Sequence, residues 1–199
     1  MVDSGVPIDE PDDRGFTPLN WACRNGHTAC ITYFVDNNCS TEKPSFAGMR
    51  PLHHACNKNH EIVIKMLIKA GSDLNAKDEN GDAPLHWSSS RCVLNNVLAL
   101  IDNGAELGTT NGQGVTCLHK AAVFGHHAVA KKLIEMGANA DAKDANGDTA
   151  LHCAAKSGLP LVVKTLLNSG ASADLKNGEG KVAKDLSLDK KTLAMFEGN

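Results

Sequence analysis

Gly81-Asp82-Ala83-Pro84-Leu85-His86 is the stretch on which the reading of the chain turns, because its first residue belongs to a row. The glycine recurs as Gly15, Gly48, Gly81, Gly114, Gly147 and Gly180, each step being 33 residues. A leucine keeps the same step at Leu19, Leu52, Leu85, Leu118 and Leu151. The rest of the phrase varies as Thr17-Pro18-Leu19-Asn20, Arg50-Pro51-Leu52-His53, Thr116-Cys117-Leu118-His119 and Thr149-Ala150-Leu151-His152. A second row precedes the first at Gly5, Gly71, Gly104, Gly137 and Gly170, broken only by Asn38. Asparagine is the next best residue for a left-handed turn, so the break still fits the row. A fixed period of this length marks a repeat architecture in which each unit packs only on its neighbours.

Outside the phrase, the bulk numbers agree. Hydrophobic residues make up 42% of the 199-residue chain and aromatics only 4%, so the core must be built from Leu, Ile, Val and Ala between small helices. The net charge of −3 argues against general nucleic-acid binding, which needs a concentrated basic face. Seven cysteines follow no apolar leader, and Cys23 and Cys56 occupy the site that Ala122 and Ala155 fill in later repeats. They read as reduced, small, mostly buried residues of a cytoplasmic or nuclear protein. No run approaches the roughly 18–20 apolar residues of a membrane span, so membrane insertion is not expected.

Within a repeat, Thr17 is a good N-cap and Pro18 a good first helical residue, which predicts a helix over 18–25 stopping at Gly26. Ile31, Phe34 and Val35 at i, i+3, i+4 spacing predict a second over 28–37. The apolar pattern returns at Val63, Ile64, Leu67 and Ile68, at Val129, Leu133 and Ile134, and at Val162, Val163, Leu166 and Leu167, with Pro160 opening its helix. The polar connectors end in Asn80-Gly81 and Asn146-Gly147, which is hairpin chemistry. Each unit reads as hairpin, helix, turn, helix.

This unit resembles the ankyrin repeat. Residues 147–171 match closely through Thr149, Leu151-His152, Ala154-Ala155, Gly158, Leu166-Leu167 and Gly170-Ala171. The resemblance covers about residues 5–199 and implies an all-α solenoid: an L-shaped stack of helix pairs with hairpins projecting to one side. It divides a single domain over 1–199 into an N-terminal hairpin arm (1–14), five full repeats (15–47, 48–80, 81–113, 114–146, 147–179) and a C-terminal capping repeat (180–199). The arm implies that the chain starts inside a repeat or was cut from something longer. The last repeat places Lys181, Lys184 and Asp185 at frame positions, as a natural terminal cap does. Its tail, 189–196, is expected to be a shortened helix. Repeat three departs most: Ser88, Ser89 and Asn96 stand where siblings carry Ala, Ala and Val.

Nine histidines and seven cysteines invite a metal reading, which the period answers. His53, His86, His119 and His152 share one frame position, suited to bonding near a helix start. His27, His60 and His126 share another, suited to closing the turn between helices. Only His54 and His127 stand outside the frame, without cysteines at a zinc-finger spacing. Gly178-Glu179-Gly180-Lys181 lacks the strand and the Ser or Thr of a phosphate loop. Ser88–Ser90 beside His86 lack an orienting acid. No catalytic residue, cofactor or metal ligand is assigned, and the chain is not read as an enzyme.

In the ankyrin family the exposed part of the first helix and the hairpin tips vary while the frame is fixed, and the resemblance implies that these line a concave protein-binding face. The residues so placed are Phe16, Trp21, Arg24, Met49, His54, Lys58, Trp87, Arg91, Val115, Lys120, Phe124 and Lys156. Aromatic, Met and Arg enrichment is a mark of interfaces. The expectation is a monomeric, non-catalytic scaffold that binds a protein partner and neither nucleic acid nor membrane. The alternative is the regulatory ankyrin portion of a larger protein or enzyme, docking on its own neighbouring domain.

Overall fold

The computed structural model describes residues 7–197, so Gly5 and the start of the expected arm lie outside the described residues. Five first helices alternate with five second helices. The first helices are α1 (Pro18–Asn25), α3 (Pro51–Lys58), α5 (Pro84–Ser89), α7 (Cys117–Val123) and α9 (Ala150–Lys156). The second helices are α2 (Thr28–Asp36), α4 (Glu61–Lys69), α6 (Leu94–Ile101), α8 (His127–Glu135) and α10 (Pro160–Asn168), and α11 (Lys190–Glu197) ends the chain. There is no strand among the described residues, only isolated bridges between Thr110 and Thr116 and between Lys176 and Val182.

The frame histidine explains how such short helices start. In a usual capping box a Glu or Gln reaches back to the N-cap amide. Here His53 Nδ1 accepts from Arg50 N–H at 3.1 Å, His86 Nδ1 from Ala83 N–H at 3.1 Å, and His119 Nδ1 from Thr116 N–H at 3.2 Å. That leaves Nε2–H free to donate across to the next connector: His53 to Ala76 and Asp82 carbonyls, His119 to the Asp148 carbonyl at 3.0 Å, His152 to the Lys181 carbonyl. One side chain therefore caps its own helix and ties it to its neighbour. The other histidine row does more than close a turn. His60 Nε2 reaches the Arg24 carbonyl at the end of α1, and His126 Nε2 the Ser90 carbonyl, both at 3.0 Å.

The connectors correct the hairpin expectation in one respect. Asn80 and Asn146 keep negative φ, and the turn is held instead by the residue three before each frame glycine. Asp78 Oδ1 accepts from both Asn80 and Asp82 N–H at 2.9 Å, and Asp12, Asn111, Asp144 and Asn177 do the same in their own turns. This Asx geometry needs no extended ladder, so the connectors are turns with at most one bridge. Asn38 takes φ 58°, the left-handed value its place in the glycine row requires.

The chain falls into two compact units. The first comprises 1–88 and 95–106, the second 89–94 and 107–199. In the first, α1 packs on α3 and α2 on α4, with Leu19, Ile31, Leu52, Ile64 and Leu67 buried, and Leu100 on α6 is buried as well. In the second, α7 packs on α9 and α8 on α10, burying Leu118, Leu133, Leu151 and Leu166, while α10 holds α11. Each fully buried leucine contributes about 1.5–3 kcal/mol, against about 0.5–1.5 kcal/mol for a typical single hydrogen bond. Cys23 and Cys56 are fully buried, as the small-residue site requires; Cys30 and Cys92 are exposed, and all seven thiols are free.

Repeat three is where the frame is poorest. Helix α5 spans six residues, its following turn passes through Cys92 at φ 66°, and Ser89 Oγ and Asn96 Oδ1 are buried without a partner among the described residues. Asn96 does find one bond: its Nδ2 donates to Oδ1 of Asn59, the residue that replaces the turn glycine of repeat two at φ 64°.

Candidate protein-binding face

In the first unit the variable side chains of α1 and α3 converge on Phe16. Its ring is stacked on Trp21 with centroids 4.7 Å apart and lies 5.0 Å from the His54 ring. The Arg24 guanidinium sits 5.6 Å from the Phe16 centroid and 5.4 Å from that of Trp21, a cation–π arrangement worth roughly 0.5–1 kcal/mol at an exposed site. Trp21 is 37% exposed and is pinned at its far end, Nε1 donating to Asp12 Oδ2 at 2.9 Å. The indole N–H, with the two turn amides, holds the Asp12 carboxyl below the usual carboxylate range. Trp87, half-buried, repeats the arrangement with Asp78 Oδ2 at 3.0 Å.

His54 fills the same frame position as the two tryptophans, and Ser45 the same position as the two aspartates. The pair is bonded at 2.7 Å between Nε2 and Oγ. Because the Ser45 hydroxyl donates its one proton to the Met49 carbonyl at 2.9 Å, it must accept from His54, which fixes the Nε2–H tautomer. Burial, followed by the charges of Arg24 and His53, pushes the His54 pKa down from 6.5 to about 4. The imidazole is thus neutral and structural.

Phe16, Met49 and His54, placed on the face by the ankyrin frame, are therefore buried, at 6%, 9% and 4% exposure. They support the surface instead of forming it. Trp21, half-buried Arg24 and exposed Lys58 remain accessible in this unit, and Phe46 at 73% exposure stands beside them in the sequence frame, at the tip of the second connector.

In the second unit the accessible residues are Arg91, Val123, Phe124 and Lys156, with Lys120 and Val115 half-buried. Val123 and Phe124 are 44% and 56% exposed at the end of α7. The Phe124 ring stacks on His126 at 6.3 Å and 17°, and His126 is itself fixed on the Ser90 carbonyl. The aromatic is thus exposed yet held. The first unit uses one device three times that the spacing alone did not reveal. The variable first-helix residue is anchored on a connector residue nine positions earlier, and the signal was present in the sequence as Asp12/Trp21, Ser45/His54 and Asp78/Trp87.

The groups that might have carried chemistry are engaged. Lys181 N–H and Glu179 N–H both turn inward to Asn177 Oδ1, and Lys181 Nζ pairs with Glu179 at 2.7 Å, so the Gly-rich stretch forms no cradle. Burial pushes the Cys56 and Cys117 thiols up to about 12, well away from a reactive thiolate. Among the described residues no three His, Cys, Asp or Glu side chains come together as metal ligands, and no helix is long and apolar enough to cross a membrane.

Comparison with known proteins places this geometry. A family model described as ankyrin repeats (3 copies) matches residues 1–78, 41–111 and 85–177. Among solved structures, the ankyrin repeat domain of Bcl-3, a member of the IkappaB protein family, superposes with a TM-score of 0.87 over 99% of this chain and 89% of that one, at 24% sequence identity. That likeness is one of fold. A search of curated sequences gives no significant match.

Proposed function

The chain belongs to the ankyrin repeat family, and from that premise we propose that it is a non-catalytic scaffold binding a protein partner through the exposed first-helix and connector residues. Ankyrin repeats are in general protein–protein interaction modules. One observation carries the reading to this chain: large apolar side chains are exposed where the frame does not ask for them, and they are rigidly held. Phe124 on His126 and Trp21 on Asp12 are presented with little side-chain freedom left to lose, so docking costs less ordering entropy. The proposed surface is Trp21, Arg24 and Lys58 in the first unit, and Arg91, Val115, Lys120, Phe124 and Lys156 in the second. Trp87, half-buried on Asp78, contributes an edge in the first unit, and Phe16, Met49 and His54 act as its floor. A monomer without nucleic-acid or membrane partners, in the cytoplasm or nucleus, completes the proposal.

The test is a selection from a random-peptide display library against the intact chain, repeated with Trp21→Ala and Phe124→Ala. Selected peptides should bind the parent and lose affinity by roughly 1–3 kcal/mol with one of the two changes. Peptides indifferent to both changes would place the site elsewhere.

A further inference from the structure

A row of side chains ties one connector to the next. Asp9 accepts from Ser40 N–H at 3.1 Å, Glu42 Oε1 from Asp73 N–H at 3.0 Å, and Asn75 Oδ1 from Glu106 N–H at 2.9 Å. In the second unit Asp141 Oδ1 accepts from Ser172 N–H at 2.9 Å. Donor and acceptor are 31 residues apart each time, and the acceptors keep the period of the chain. One step breaks the row. Its acceptor position is Gly108, which has no side chain, and its donor, Asn139 N–H, has no partner among the described residues.

The backbone does not demand this glycine. Gly108 lies outside the left-handed region, and a Cβ built on it would meet no atom within 4 Å. In its place is a pocket of about 180 Å³, with Leu107, Gly108, Thr116, Ala138, Asn139 and Ala142 in its lining and no charged side chain among them. Its walls are fixed, since the Cys117 thiol donates to the Leu107 carbonyl at 3.6 Å and Thr116 is bonded to His119. Pockets for whole cofactors or metabolites run to roughly 300–1,000 Å³, so this one suits a single side chain.

We propose that this pocket is a recognition subsite for one carboxamide side chain, Asn or Gln, of a protein partner. The carboxamide oxygen accepts from Asn139 N–H, as Asn75 Oδ1 does from Glu106 N–H one repeat earlier. Its NH2 group stays in water at the mouth, where Gly108 and Asn139 are exposed. The inference rests on the protein-binding reading above and specifies one contact of it. An unpaired donor selects an acceptor, which excludes Lys and Arg tips. Charge decides between carboxamide and carboxylate. Asp9 and Glu42 of the row have Lys43 and Arg50 beside them, whereas the pocket lining supplies no cation and Glu106 and Asp141 flank it in the sequence. A carboxylate entering there would lose water without gaining a counter-charge, and a neutral carboxamide avoids that cost.

The experiment titrates the intact, isotope-labelled chain with acetyl-Ala-Xaa-Ala-amide peptides, Xaa being Asn, Gln, Asp or Ala, and follows amide nitrogen–proton correlation spectra. The Asn or Gln peptide should shift the Asn139 amide saturably. Its Kd should weaken about tenfold or more when Xaa is Ala, and likewise on Gly108→Asn, whose own side chain fills the pocket. Gly108→Asn should also slow hydrogen exchange at Asn139 N–H, while Trp21→Ala and Phe124→Ala should leave the peptide shifts unchanged. Tighter binding of the Asp peptide overturns the carboxamide assignment in favour of a carboxylate. Equal binding of the Ala peptide assigns the contact to a backbone carbonyl and overturns the side-chain subsite. No saturable shift at Asn139 means that solvent alone serves this amide and overturns the subsite, while display selection read on Trp21 and Phe124 decides the protein-binding reading separately.

Discussion

Replacing Asn96 with valine should stabilise the protein, and the structure sets the size of the gain. Asn96 is fully buried on α6, where α4, α8 and α10 carry valine. Its Oδ1 has no partner among the described residues, and a buried unsatisfied acceptor costs about 1–3 kcal/mol. Its Nδ2 bond to Asn59 contributes about 0.5–1.5 kcal/mol, which the substitution forfeits. Asn59 is exposed, so its freed amide turns to water and leaves no new orphan. The difference, with a valine side chain in an apolar slot, is a gain of about 0.5–2 kcal/mol. Urea denaturation of the two proteins measures it, and the thermal midpoint should rise by roughly 2–4 °C per kcal/mol for a chain of this size. Asn59→Gly, alone and combined with Asn96→Val, closes a double-mutant cycle that isolates the pair. A loss of stability in Asn96→Val would refute the reasoning, because it would show that both ends of the amide are satisfied and that the asparagine pair holds repeat three together.

Three further outcomes follow from the geometry. His119→Ala removes the bond to Thr116 N–H and the bond to the Asp148 carbonyl, and should cost about 1–3 kcal/mol in the same denaturation assay. His54, with a folded pKa of about 4 against 6.5 unfolded, leaves the unfolded chain holding an extra proton between those values. Stability is therefore full above pH 6.5 and declines as pH falls towards 4, by about 3 kcal/mol from this group, and His54→Leu should remove about 1.4 kcal/mol per pH unit of that slope. Gly26→Ala puts a Cβ at φ 74° and 2.8 Å from the His60 ring, so it should lower stability by more than about 1 kcal/mol, read as a lower urea midpoint.

How much of this was legible depended on whether a residue acts within its repeat or between repeats. Helix α1 begins and ends where Thr17, Pro18 and Gly26 say it should, and α10 begins at Pro160, because caps and proline act over a single turn. The tail helix, read over 189–196, lies at Lys190–Glu197. The binding surface was legible only as frame positions. Whether a side chain at such a position is exposed depends on which neighbour covers it. Phe16 is covered by Trp21, His54 and Arg24, Met49 lies at the end of the buried Ser45 turn, and His54 is drawn inward by Ser45. Phe124 stays out because the ring it stacks on, His126, is itself tied to the Ser90 carbonyl. The Asn-Gly dipeptides misled for a similar reason. Their local preference for positive φ at asparagine yields to the Asp side chain that already fastens the turn.

Partner binding on the first-helix side is put to the test by titrating a display-selected peptide against two sets of variants of the intact chain. One set carries Trp21→Ala and Phe124→Ala; the other carries Lys65→Ala, Lys132→Ala and Lys164→Ala on the second helices. The first set should lose roughly 1–3 kcal/mol of affinity, with folding unchanged by circular dichroism, and the second should change negligibly. Binding that survives the aromatic changes and fails with the lysine changes would contradict it and move the site to the second-helix side.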